Sequence, residues 1–135
     1  MKKIFSICAF AMCIFSLSFC SANYYDDNPD YALVTFAQGS IYLYLPSVDV
    51  QEYNPPHYQI AGHFVHLING SEDNVRDIFF SYRYNWDTKE TFSMNKKGNF
   101  EKDDLKTENS QAGLRGRKMR DSLFRAAYGI DFYGY

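Results

Sequence analysis

Apolar and polar positions divide the chain into a leading apolar run, a central region of period two and a closing stretch of helical period. Residues 33–36 are a short apolar run that stops at Ala37, Gln38 and Gly39. In residues 41–45, Ile41, Leu43 and Leu45 alternate with Tyr42 and Tyr44, and Pro46 closes the run. Both segments predict strands. Residues 47–50 read as a turn with a short extension. Residues 52–56 read as a stiff loop, because Pro55 and Pro56 cannot donate to a ladder and are unsuited to a central strand.

Residues 58–68 predict a long strand. Tyr58, Ile60, Gly62, Phe64, His66 and Ile68 point one way, and Gln59, Ala61, His63, Val65 and Leu67 the other. Apolar residues on both sides predict a central strand with each face at least partly covered. After a turn at residues 69–74, residues 76–86 give the clearest strand. Ile78, Phe80, Tyr82, Tyr84 and Trp86 share one side, and Phe79, Ser81, Arg83 and Asn85 the other. Asp87, Thr88 and Lys89 form a tight turn into a hairpin partner at residues 90–94. The polar residues 95–107 predict either a last short strand around Phe100 or a loop.

From Gln111 to Tyr128 the period lengthens. Gly116, Met119, Leu123, Ala126 or Ala127, and Ile130 recur at helical spacing, with Arg115, Arg117, Lys118, Arg120 and Arg125 mostly elsewhere. Asn109 or Ser110 can cap the start, and Gly129 stands where a left-handed residue ends a helix. The expected fold class is α+β: an antiparallel sheet of about five strands with one C-terminal helix packed on one face.

The leading run changes the picture of where this domain works. Lys2 and Lys3 precede an apolar stretch to Phe19, and Cys20, Ser21 and Ala22 supply a small-residue cleavage site. This is the pattern of a cleaved signal peptide over residues 1–22. Phe19 is bulkier than the residue a lipoprotein peptidase prefers before an acylated cysteine. Export to the periplasm, the cell surface or the medium follows, with no transmembrane segment left after cleavage. Residues 23–31 then form a loose N-terminal segment, and residues 32–135 a single domain.

Cys8, Cys13 and Cys20 all lie in the leader, so the exported domain must stand on its apolar core without disulfides. Loss of Lys2 and Lys3 takes the net charge from −2 to −4, which offers no general attraction to nucleic acid. All 12 Tyr, the single Trp and 8 of the 12 Phe follow the leader, enough to populate the strands and to form a binding face.

Candidate chemistry is sparse. His63 and His66 project to opposite faces of a strand, and His57 lies about 20 Å from His63 at ~3.3 Å per residue, so no shared metal is expected. There is no nucleophile elbow, no phosphate-cradling loop and no cysteine after the leader. Neither a cofactor nor an enzymatic activity is expected. Two surfaces suit a protein or glycan partner at the envelope or host surface. One is the basic helix run Arg115, Arg117, Lys118 and Arg120; the other is the Pro-Pro loop with Tyr53 and His57.

Three segments carry a family resemblance: IYLYLPSVDVQEYNPPHYQIAGHFVHLI at residues 41–68, FFSYRYNWDTKETF at 79–92 and SLFRAAYGIDFYG at 122–134. Together they resemble a family of short exported bacterial proteins without assigned activity. In that family Tyr53-Asn54-Pro55-Pro56 leads into a long strand and Tyr84-Asn85-Trp86-Asp87 makes a hairpin turn. The order of elements is also similar to the surface-adhesin protein E family, without the cysteine pair some of its members carry. The resemblance implies a non-enzymatic exported binding module, adhesin-like in character. The alternatives are a structural or accessory protein docking on another envelope component, and a small extracytoplasmic hydrolase.

Overall fold

The computed structural model describes residues 23–36, 39–103 and 110–132. Residues 1–22, expected to be a leader and holding the three cysteines, and Asn109 lie outside the described residues. Seven strands make one antiparallel sheet: β1 (Tyr31–Thr35), β2 (Ser40–Tyr44), β3 (Asp49–Asn54), β4 (His57–Leu67), β5 (Val75–Asn85), β6 (Glu90–Met94) and β7 (Phe100–Lys102). One helix, α1 (Gln111–Tyr128), follows. The architecture is therefore α+β. Strands neighbour one another in the order β1-β2-β4-β5-β6-β7, with β3 paired to β4 beside β2. Among the described residues no helix is long and apolar enough to cross a membrane.

The strand count exceeds the expected five, and each addition has a local cause. Strand β7 is one of the two alternatives left for the polar stretch around Phe100. Strand β3 was expected as loop because of its prolines. Pro55 and Pro56 instead occupy the turn into β4, so residues 49–54 keep their amide donors and pair with residues 57–61. Every residue of β3 is exposed, as suits an edge strand.

Strands β2 and β3 run along the same side of β4, separated by a 3-10 turn at Leu45–Ser47. Ser47 repairs the interrupted ladder. Its Oγ accepts from the His63 amide at 2.8 Å and donates to the Tyr44 carbonyl at 2.6 Å. A strand amide left without a ladder partner by the interruption is thereby satisfied.

The helix starts at Ser110, whose Oγ accepts from the Gly113 amide at 3.1 Å. It ends at Gly129, φ 72°, whose amide donates to the Arg125 carbonyl at 2.7 Å. Met119, Leu123 and Phe124 pack on Ile41, Leu43, Ile60, Phe64, Tyr82 and Tyr84, forming the core. Gly62 lets the helix approach: a Cβ there would stand 2.8 Å from Leu123 Cδ1. Beyond α1 it is Phe132, fully buried, that closes the core against Trp86, Tyr84 and Phe124. Ile130, expected to extend the helical stripe, lies past Gly129 and is exposed.

Residues 23–30 contain no strand or helix, yet they are tied down. Asn23 Nδ2 donates to the Tyr42 hydroxyl at 2.8 Å, which donates to Asp26 Oδ1 at 2.7 Å. Tyr25 stacks on Tyr42 with ring centroids 5.4 Å apart. The segment covers one end of the sheet face opposite α1. Among the described residues no helix lies over the rest of that face, where His57, His63, Asp77, Phe79 and Arg83 are exposed.

Candidate functional site

Strand pairing arranges the open face in rows. Asn54, His57, Asn85 and Glu90 are register partners across β3 to β6. Two residues along, Glu52, Gln59, Arg83, Phe92 and Lys102 form the next row, from β3 to β7. Neighbours within a row are about 4.8 Å apart at the backbone, and the two rows lie about 7 Å apart.

A register shift between Val50 and Glu52 brings Gln51 over this face. Gln51 Oε1 accepts from Gln59 Nε2 at 2.6 Å and from Ser81 Oγ at 3.0 Å. Gln59 Oε1 then accepts from Arg83 Nε at 2.9 Å. The guanidinium of Arg83 lies 3.9 Å above the centre of the Phe100 ring. Arg83 is thus held from one edge and one flat side, and among the described residues nothing accepts from its two terminal nitrogens. Lys102 and Glu90 form an ion pair at the far side.

Between the rows lies a shallow groove of about 390 Å³, bordered by Glu52, His57, Arg83, Asn85, Glu90 and Phe92. It combines a displayed cation, amide and imidazole donors, carboxylate acceptors and one aromatic wall. Such a set binds through hydrogen bonds and ring contact. Glu52 and Glu90 stand three strand spacings and one row apart, about 16 Å at the backbone, and Glu90 is already engaged by Lys102 and Thr88. Further along the same face, His63 Nδ1 meets Asp77 Oδ1 at 3.0 Å and the half-exposed Phe79 ring lies beside His63.

The residues expected to bind a partner do not come together. Residues two apart on a helix point about 200° apart around its axis, so Arg115 and Arg117 lie on opposite flanks of α1. Lys118 is exposed. Arg120 is 1% exposed and is not on the surface at all, which corrects its place in a basic binding face. It falls in the buried stripe with Gly113, Met119, Leu123 and Phe124. Its Nη1 donates to Thr91 Oγ1 at 2.9 Å and its Nε to Asp121 Oδ1 at 3.1 Å. Tyr53 and His57 also separate. Tyr53 packs toward the helix side against Tyr58 and Tyr128, whereas His57 borders the groove.

Around Arg120 lies the other polar cluster, beneath the helix. Ser93 Oγ donates to Asp103 Oδ1 at 2.6 Å, while the buried Asp103 Oδ2 has no hydrogen-bond partner. Burial raises the Asp103 carboxyl above the usual carboxylate range, with Ser93 and Arg120 pulling against it. Asp121 is raised for the same reason, with Arg120 again opposing. Burial likewise pushes the Tyr82 and Tyr84 hydroxyls up, and the Tyr84 hydroxyl donates to the Arg120 carbonyl at 2.8 Å. These groups join helix to sheet.

Sequence reasoning missed Arg83, Gln59 and Gln51 as candidates. The available signal was the polar side of residues 76–86, where Arg83 alternates with the core aromatics. No protein-family model, no curated protein and no solved structure matches this chain.

Proposed function

We propose that this chain is a non-enzymatic exported binding module of the cell envelope or surface, adhesin-like in character, and that the open sheet face receives its partner. The single observation that carries this reading is the bracing of Arg83. Gln51, Gln59 and Phe100, from three different strands, hold one exposed guanidinium in place, and among the described residues nothing accepts from its two terminal nitrogens. Immobilising a long surface side chain costs conformational entropy, about 1.5–2 kcal/mol for arginine, and recognition is the benefit that offsets it. The leader at residues 1–22 supports export, and the family resemblance agrees with a binding role.

The test is retention of the purified protein on an array of glycans and matrix proteins. Retention should be abolished by Arg83→Glu and preserved in Lys118→Glu, whose change lies on the helix side. No retention on any surface, or loss only in the helix variant, would refute the assignment. Specific co-purification with one envelope component, with no host ligand bound, would mark the accessory alternative.

A further inference from the structure

We propose that the Arg83 groove recognises a sugar bearing a single carboxylate, such as a uronic or sialic acid residue of a glycan. The inference rests on the open face being the binding surface. A planar guanidinium pairs with a carboxylate through two parallel hydrogen bonds, and Arg83 is braced through Nε and its ring contact with no acceptor on its terminal nitrogens among the described residues.

The surroundings of Arg83 narrow the ligand further. Asn85 Oδ1 accepts from the amides of Asp87 and Thr88 at 3.1 and 3.2 Å, which leaves the Asn85 amide nitrogen as its groove-side donor. His57 and Glu52 add groups that exchange hydrogen bonds with hydroxyls. Phe92 follows Arg83 in the same row and offers an apolar wall for the C–H face of a sugar ring. The groove's volume of about 390 Å³ lies at the lower end of small-ligand sites.

Charge excludes the other anionic ligands. Glu52 borders the groove and Lys102 is spent on Glu90, so a polyanion such as nucleic acid, a sulfated chain or a run of acidic peptide would find Arg83 alone to pair with and repulsion from Glu52. A single carboxylate set among hydroxyls fits both the arginine and the acceptors.

The experiment is a titration of the purified, nitrogen-15-labelled protein, followed by amide shifts. The probes are D-glucuronate, N-acetylneuraminate, methyl glucuronate ester, glucose, acetate and a hexaglutamate peptide. At least one sugar acid should bind saturably at millimolar concentration and move the amides of His57, Arg83 and Asn85. It should bind about tenfold more tightly than the ester, glucose, acetate or the peptide, and Arg83→Gln should remove that margin while moving the melting temperature by no more than about 4 °C. Arg83→Lys should fail to restore it, because a point charge lacks the fork.

Absence of saturable binding by both sugar acids, or equal binding of the ester, acetate or peptide, would overturn the proposal. If the array partner is still held through Arg83 while no sugar acid binds, only the ligand class falls. If retention is also absent, the open-face reading falls with it.

Discussion

Arg120 and Arg83 occupy opposite faces of one sheet, and the same side chain is used there in two ways. Arg120 projects from the sheet-facing side of α1, 1% exposed, and donates from Nη1 to Thr91 and from Nε to Asp121. Arg83 lies on the open face, gripped by its Nε and its ring contact, with no acceptor on its terminal nitrogens among the described residues. The first arginine satisfies a buried network whose members hold each other in place. The second is held by a network that leaves it available. The two arginines differ in their pattern of satisfied and available donors, and local charge density does not separate them.

Changes on the covered face should cost the most. Phe124→Ala removes a ring that contacts Tyr58, Tyr84, Trp86 and Phe132, and should destabilise by about 3–5 kcal/mol in chemical denaturation. An effect below 1 kcal/mol would mean that α1 does not pack on the sheet as described. Arg120→Ala, which strands Asp121 and Thr91, should cost about 3 kcal/mol, whereas Arg120→Met should cost much less because it removes the charge and fills the space. Equal costs for the two would argue that the ionic network is not the source of the effect.

A smaller effect separates the carboxylate from its charge. The native pKa of Asp103 is raised above its ordinary 3.8, so the folded state binds this proton more tightly than the unfolded chain. Its stabilising contribution is fully present below pH 3.8 and is lost as pH rises through the raised value. Asp103→Asn should therefore flatten this part of the stability–pH curve and be neutral or slightly stabilising at pH 7, as checked by melts across that window. Loss of stability at pH 7 would show that the charge itself is needed beside Arg120. Least of all, Arg83→Gln should change stability by about 0.5 kcal/mol, the scale of an exposed cation–ring contact, while abolishing retention on the array. A large stability loss there would erase the distinction between the two arginines.

Much of the fold was legible in residue order. The bounds of α1 follow from its period together with Ser110 and Gly129, and the aromatic side of β5 follows from strict alternation. Strand β3 was not legible, because two prolines beside it look the same whether they interrupt a strand or make the turn that starts one. Arg120 was misread for a related reason. Five basic residues share one helix, and their order does not say which of them the helix rotates into the core. That rotation is set by contact with the sheet, including the close approach of Leu123 to Gly62.

The candidate site shows the same division more sharply. That Arg83 points away from the core is a property of neighbouring positions along one strand, since successive side chains alternate sides. Its support comes from Gln51 in β3, Gln59 in β4 and Phe100 in β7, residues made adjacent only by strand pairing and a one-residue register shift. Periodicity, caps and face assignment are local, so the order of amino acids suffices to set them. Which distant side chains become neighbours is decided by pairing of the strands, and the braced arginine exists only after that step.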